Sequence, residues 1–102
     1  ETTKPDRVVP KGRFSAFTPG TSDLHDVLQA DGIDTVIVTG TLTNVCCEST
    51  ARDAMQRNYR VIMVPDANAA LSDEAHAATL ENLGFVFADL RSVDEIEALL
   101  GA

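Results

Sequence analysis

The chain has 102 residues, 44% of them hydrophobic, and sixteen acids against eight bases give it a net charge of −8. That length and apolar content suit one domain with a modest core. The charge repels a phosphate backbone and no Lys/Arg-rich stretch offsets it locally, so nucleic acid and anionic membrane are excluded as natural partners. The apolar runs are only strand-sized, too short to span a bilayer, and residues 1 to 7 lack the apolar core of a secretory signal, which leads to the expectation of a cytoplasmic protein. The two cysteines, Cys46 and Cys47, are adjacent and cannot staple distant segments together, so reduced thiols are expected.

Residues 1 to 10 are polar, with Pro5 and Pro10, and read as an extended arm or the approach to a strand near Val8 and Val9. Ser22 can cap a helix over residues 23 to 31, in which Leu24, Val27 and Leu28 share a face and Gly32 provides the stop; His25 falls on its polar, exposed side. Val36, Ile37 and Val38 form a continuous apolar run, the pattern of a parallel strand covered on both faces, and Gly40 then marks a turn. Over residues 45 to 58, Cys47, Ala51, Ala54 and Met55 recur at helical spacing, with Glu48 and Arg52 placed for an i, i+4 ion pair.

The cycle repeats. Residues 61 to 64 are a second β-branched run, and Ser72 precedes a helical stretch that puts Ala75, Thr79 and Leu83 on one side before Gly84. Residues 85 to 88 are the next predicted strand. Ser92 and Glu95 have capping-box spacing and open a last helix with Ile96, Leu99 and Leu100 on its expected buried face. Alternating strands and helices with short links predict an α/β fold, three layers in α-β-α order around a mainly parallel sheet. No complete βα unit precedes Lys11, whereas doubly wound sheets usually have five or more strands. The 102 residues are therefore read as one α/β domain that forms the C-terminal part of a larger or split folded unit.

In open α/β sheets ligands bind beyond the carboxyl ends of the strands, and residues 39 to 47 occupy such an end. A thiol in the first helical turn feels the positive end of the macrodipole and unpaired N–H groups, which favour the thiolate; the same N–H groups can hold the oxyanion formed when sulfur adds to a carbonyl. Cys46 is the candidate nucleophile, since Cys47 joins the apolar face while Cys46 points roughly 100° away. The bland alternative is that Cys46 is a small buried hydrophobe, as free cysteines often are.

The run Val38-Thr39-Gly40-Thr41-Leu42-Thr43-Asn44-Val45-Cys46-Cys47-Glu48-Ser49-Thr50-Ala51-Arg52-Asp53-Ala54 resembles the nucleophile segment of isochorismatase-like cysteine hydrolases, a family that includes nicotinamidases, ureidoacrylate and carbamoyl amidohydrolases, and isochorismatases. Lys11-Gly12-Arg13-Phe14-Ser15-Ala16-Phe17 resembles that family's lysine segment, and Val64-Pro65-Asp66-Ala67 with Glu74-Ala75-His76 its later strand and helix. The resemblance implies an Asp, Lys and Cys triad in which Cys46 attacks, Lys11 holds the thiolate and the developing charge, and an aspartate moves the proton. It also implies a cis peptide between Thr41 and Leu42, with the N–H groups of Leu42 and Cys46 forming an oxyanion hole. The family's aspartate follows an N-terminal strand that has no counterpart in these residues. Asp6 precedes Lys11 but lacks that strand context, so an N-terminal segment or a second chain is expected to supply the acid.

Phe17, Asn44 and Arg13 are the candidate substrate contacts, each with an alternative. Phe17 lines a pocket or fills core; Arg13 grips a carboxylate or makes a surface ion pair; Asn44, or else Thr43, caps the Cys46 helix. His76 reads as a structural, hydrogen-bonded histidine. No metal site is predicted, because Glu74-Ala75-His76 is not a zincin motif, and single glycines at 40 and 84 imply no nucleotide cofactor. The expected activity is cofactor-free hydrolysis of a small amide, ureide or carbamoyl substrate through a thioester on Cys46, by a homo-oligomer. Vinyl-ether cleavage of the isochorismatase kind, and a non-catalytic α/β binding or assembly module, are the alternatives.

Overall fold

A computed structural model describes residues 6–101. In chain order the elements are α1 (Leu24–Ala30), β1 (Thr35–Thr41), a π-helical turn (Thr43–Cys47), α2 (Glu48–Gln56), β2 (Arg60–Ala69), α3 (Asp73–Asn82), a second π-helical turn (Leu83–Phe87), β3 (Asp89–Leu90) and α4 (Val93–Leu99). The strands form one parallel sheet in the order β1-β2-β3. Helices α2 and α3 each connect neighbouring parallel strands, so right-handed crossovers put both on one face. This is the predicted parallel sheet with flanking helices.

The core is built where α2 meets the sheet. Cys47, Ala51 and Ala54 are buried against Val38, Val61 and Met63, with Phe17, Tyr59 and Leu83 closing the cluster. Small residues along one helix face let the backbone of α2 approach the strands closely. Its other flank is tied to α3 by the buried Thr79 hydroxyl, which donates to Glu48 Oε1 at 2.9 Å, while Glu48 Oε2 accepts from Arg52 Nε of α2 itself at 2.9 Å. The Arg52 guanidinium also lies 4.5 Å above the Phe87 ring, which fastens the second π turn to α2.

Beyond Val38 and Met63 the β1–β2 register shifts, so that Thr39 alone stands opposite residues 64 to 67 before Gly40 pairs with Asn68 and Thr41 with Ala69. Pro65 has no N–H for a ladder there. The Asn68 side-chain amide bridges the gap, donating to the carbonyls of Val38 (3.1 Å) and Val64 (2.7 Å). The outward excursion brings Asp66 to α4, where its carboxylate accepts the Val93 N–H at 3.0 Å. Gly40, expected at a turn, is instead inside β1 at φ 119°, a conformation that favours glycine where the register shifts.

Several expectations are corrected. Residues 85 to 88 are not a strand: helical structure continues past Gly84 in the second π turn, leaving Phe85 88% exposed, and strand β3 is Asp89–Leu90. Gly84 serves close packing rather than a helix stop, since a Cβ there would lie 3.1 Å from Leu90 Cδ1. In α4 the capping box forms, with Ser92 N–H donating to Glu95 and Glu95 N–H to Ser92 Oγ, but only Ile96 of the expected face is half-buried. Leu99 and Leu100 are 67% and 72% exposed. No strand forms at Val8 and Val9, and the first five residues of the expected arm lie outside the described residues. His25 is half-buried, not exposed: Nδ1 lies 3.0 Å from the hydroxyl of buried Tyr59, which also accepts from Gln29 Nε2 at 3.3 Å. A tyrosine whose ring fills core needs polar company for its hydroxyl, and α1 supplies it.

Leu83 is fully buried at the junction of α3 and the sheet. Leu83→Ala is expected to cost about 2–5 kcal/mol in urea unfolding, whereas Leu99→Gln, on the exposed end of α4, is expected to change stability by less than about 0.5 kcal/mol.

Candidate active site around Cys46

Strand β1 ends at Thr41, the Thr41–Leu42 peptide is cis, and the chain then enters the π turn that carries Cys46 before α2 begins at Glu48. The Leu42 carbonyl closes this turn, accepting from both Val45 N–H and Cys47 N–H at 3.1 Å. The regular helix starts later than the predicted residue 45, and Cys46 lies in the turn ahead of it; single π turns recur at functional sites. Burial of Cys47 with Ala51 and Ala54 sets the rotation of the turn, and half-buried Cys46 borders open space instead.

That space is a cavity of about 480 Å³, lined among others by Lys11, Phe17, Thr39, Thr41, Cys46 and Thr50. The volume is in the range of small-ligand sites. It runs along the edge of β1 that has no partner strand among the described residues and reaches Ile33 and Ile37. Ile37 is 42% exposed, so the full cover expected for this strand is absent among the described residues. A second cavity of about 530 Å³, bordered by Tyr59, Arg60 and residues 84 to 89, contains no cysteine, lysine or histidine.

The lysine segment is folded onto α2 through Thr50, whose Oγ1 accepts the Ala16 N–H at 3.0 Å, and is braced within itself by Ser15, whose Oγ accepts the Phe17 N–H at 3.0 Å. Lys11 is exposed and borders the cavity, and its Nζ donates to the carbonyls of Arg13 (2.9 Å) and Phe14 (3.2 Å), two residues outside the cavity lining. Its charge reaches the Cys47 thiol. Burial pushes the Cys47 thiol up, adjacent Cys46 pushes it the same way, and the Lys11 ammonium pulls it partly back.

Of the candidate substrate contacts, Phe17 meets both readings: it is buried against Tyr59, with ring centroids 5.4 Å apart, and it also lines the cavity. Arg13 is exposed and turns back to donate to the Gly12 carbonyl, bordering a different depression with Phe14, Ser49 and Arg52. Asn44 is exposed and absent from the cavity wall, and no side chain caps the π turn. Thr43 is buried instead, sharing a 2.8 Å hydrogen bond with His76 Nδ1. Sequence reasoning missed Thr50 and the Thr43–His76 contact, since neither lies at a spacing that marks a site. The cavity lining contains no carboxylate, and no group of three His, Cys, Asp or Glu residues among the described residues is placed to hold a metal ion. Likewise, no helix among them is long and apolar enough to cross a membrane.

The model of the Isochorismatase domain matches residues 1–95. Nicotinamidase 3 of Arabidopsis thaliana is 43% identical over 102 residues, covering 99% of this chain and 50% of that protein. A ureidoacrylate amidohydrolase of Methylobacterium radiotolerans is 39% identical over 99 residues, covering 94% of this chain and 37% of its own length. The crystal structure of an isochorismatase-like hydrolase from Alkaliphilus metalliredigens superposes with a TM-score of 0.90 at 36% identity, covering 98% of this chain and 53% of that one. The chain thus spans about half the length of these relatives, or less. With the nucleophile-like turn at the end of a parallel strand, the lysine segment folded beside it and a family match over nearly all its residues, the chain belongs to the isochorismatase family.

Proposed function

We propose that this chain carries the nucleophile half of a cysteine hydrolase that cleaves the C–N bond of a small amide, ureide or carbamoyl compound. The observation that carries the reading is the shared cavity: Cys46, in the π turn just ahead of α2, and Lys11, held by two carbonyls, border one space of ligand size. Relatives named as a nicotinamidase and a ureidoacrylate amidohydrolase support amide chemistry over vinyl-ether cleavage.

In this mechanism the Cys46 thiolate attacks the carbonyl carbon, forming a C–S bond and an oxyanion that the N–H groups of Leu42 and Cys46 receive. The Lys11 ammonium favours the thiolate and steadies the negative charge. Collapse breaks the C–N bond, and the leaving nitrogen departs as ammonia or an amine with a proton from an acid. Water then attacks the thioester, giving its proton to that same group, and releases the carboxylic product and free Cys46. Phe17 is the apolar wall against which the substrate rests. No cofactor takes part.

The acid is an aspartate from outside these residues, in keeping with a cavity wall that has no carboxylate and with the chain's half-length match to its relatives. It arrives on a strand seated along the free edge of β1, from an N-terminal segment or a second chain, and the same strand covers Ile37. Self-association is part of the reading, supported by exposed Phe85, Leu99 and Leu100.

Cys46→Ser and Lys11→Met are each expected to lower kcat of the full-length protein, Cys46→Ser by at least about a thousandfold and Lys11→Met by about a hundredfold, with folding retained by circular dichroism. Wild-type turnover by Cys46→Ser would overturn the mechanism. The 102 residues alone are expected to show no amide hydrolysis, and full activity from them would remove the need for an external acid. Thiol mapping separates an enzyme from a non-catalytic module: near neutral pH iodoacetamide is expected to label Cys46 well ahead of Cys47, whose burial raises its pKa. Equal, slow labelling of both would favour the module.

A further inference from the structure

We infer that α3 is a splint for the nucleophile turn, with His76 and Thr79 acting as positioning residues for the hydrolysis proposed above, on which this inference rests. The π turn Thr43–Cys47 has no side-chain cap of its own, and the Leu42 carbonyl closes it only upon itself. Buried Cys47 sets its rotation toward the core, and its placement against the rest of the molecule depends further on what grips its two ends. At the first end, fully buried Thr43 shares its hydroxyl with His76 Nδ1 at 2.8 Å, either partner being able to donate. Just past the other end, Glu48 Oε1 accepts the Thr79 hydroxyl at 2.9 Å. His76 and Thr79 are three residues apart, on one face of one rigid helix. Two rungs of fixed spacing therefore bracket residues 43 to 48, and Cys46 lies between them.

Neither rung has a competing duty at the cavity, because His76, Thr79 and Glu48 are all absent from its wall. Each instead satisfies a group that cannot reach water. Buried Thr43 and Thr79 hydroxyls without partners would be costly, which makes both contacts persistent. Positioning matters in catalysis because a displacement of about 1 Å at an attacking atom can cost about a hundredfold in rate. The splint holds the sulfur and the adjacent N–H groups in one frame while the cavity side of the turn stays open to substrate.

The test uses the full-length protein with Thr43→Val, which keeps shape and removes the hydroxyl, Thr43→Ser, which keeps the hydroxyl, His76→Ala, His76→Asn and the Thr43→Val/His76→Ala double variant. Kcat and KM on an amide, the alkylation rate of Cys46 by iodoacetamide, and thermal unfolding are measured for each, beside Cys46→Ser as control. Thr43→Val and His76→Ala are expected to lower kcat about 10- to 100-fold, with KM within about twofold, and to slow alkylation about tenfold. The double variant is expected to lose no more than the worse single one, as partners in one contact should. Thr43→Ser and His76→Asn, which retain hydrogen-bonding capacity, are expected to stay near wild type. A purely structural contact would lower the unfolding temperature and leave kcat and alkylation unchanged in the folded enzyme. That result, or losses that multiply in the double variant, would overturn the inference. Substantial activity in Cys46→Ser would instead bring down the proposed nucleophile, and the alkylation rates would still report on the splint.

Discussion

Close packing of three small side chains organises this molecule. Cys47, Ala51 and Ala54 lie on one face of the segment that leaves β1, and all three are buried against the sheet. A larger residue at any of them would hold α2 away from Val38 and Met63, against interiors that pack as tightly as organic crystals. Once that face is committed, the preceding residue is turned away from the core, and Cys46 borders the cavity. The site is thus a by-product of core formation, and its placement costs no extra ordering of a loop.

Much of this was legible from residue order because helix and strand periods are local properties. The i, i+4, i+7 recurrence of Cys47, Ala51 and Ala54 identified the buried face of α2, and with it the lesser burial of Cys46. The continuous apolar runs at 36 to 38 and 61 to 64 identified parallel strands. The motif resemblance located Lys11 and Cys46, which line one cavity. Residues 85 to 88 misled because a short apolar run fits a strand or a helical extension equally well, and the decision came from Gly84 packing under Leu90.

Other features were not legible for a different reason. Whether Arg13 faces the cavity, whether His25 is buried, and what holds Thr43 depend on contacts between residues that are far apart in the chain. Tyr59 draws His25 inward across an interval of 34 residues, and His76 reaches Thr43 across 33. Spacing rules operate within one element and are silent on such pairs. Asn44 shows the same limit from the other side: its residue type favours capping, but the cap position of the π turn falls on Leu42 and Asn44 lies inside the turn.

The register shift in β2 has a consequence for how this fold can change over evolutionary time. One excursion of four residues lets Asn68 serve the carbonyl of Val38 and sends Asp66 to the first N–H of α4. Insertion or deletion there would therefore disturb the strand that leads to the thiol and the C-terminal helix together. Lineages are free to lengthen the turns between other elements one at a time, while at this place strand β1 and helix α4 must be remodelled in concert.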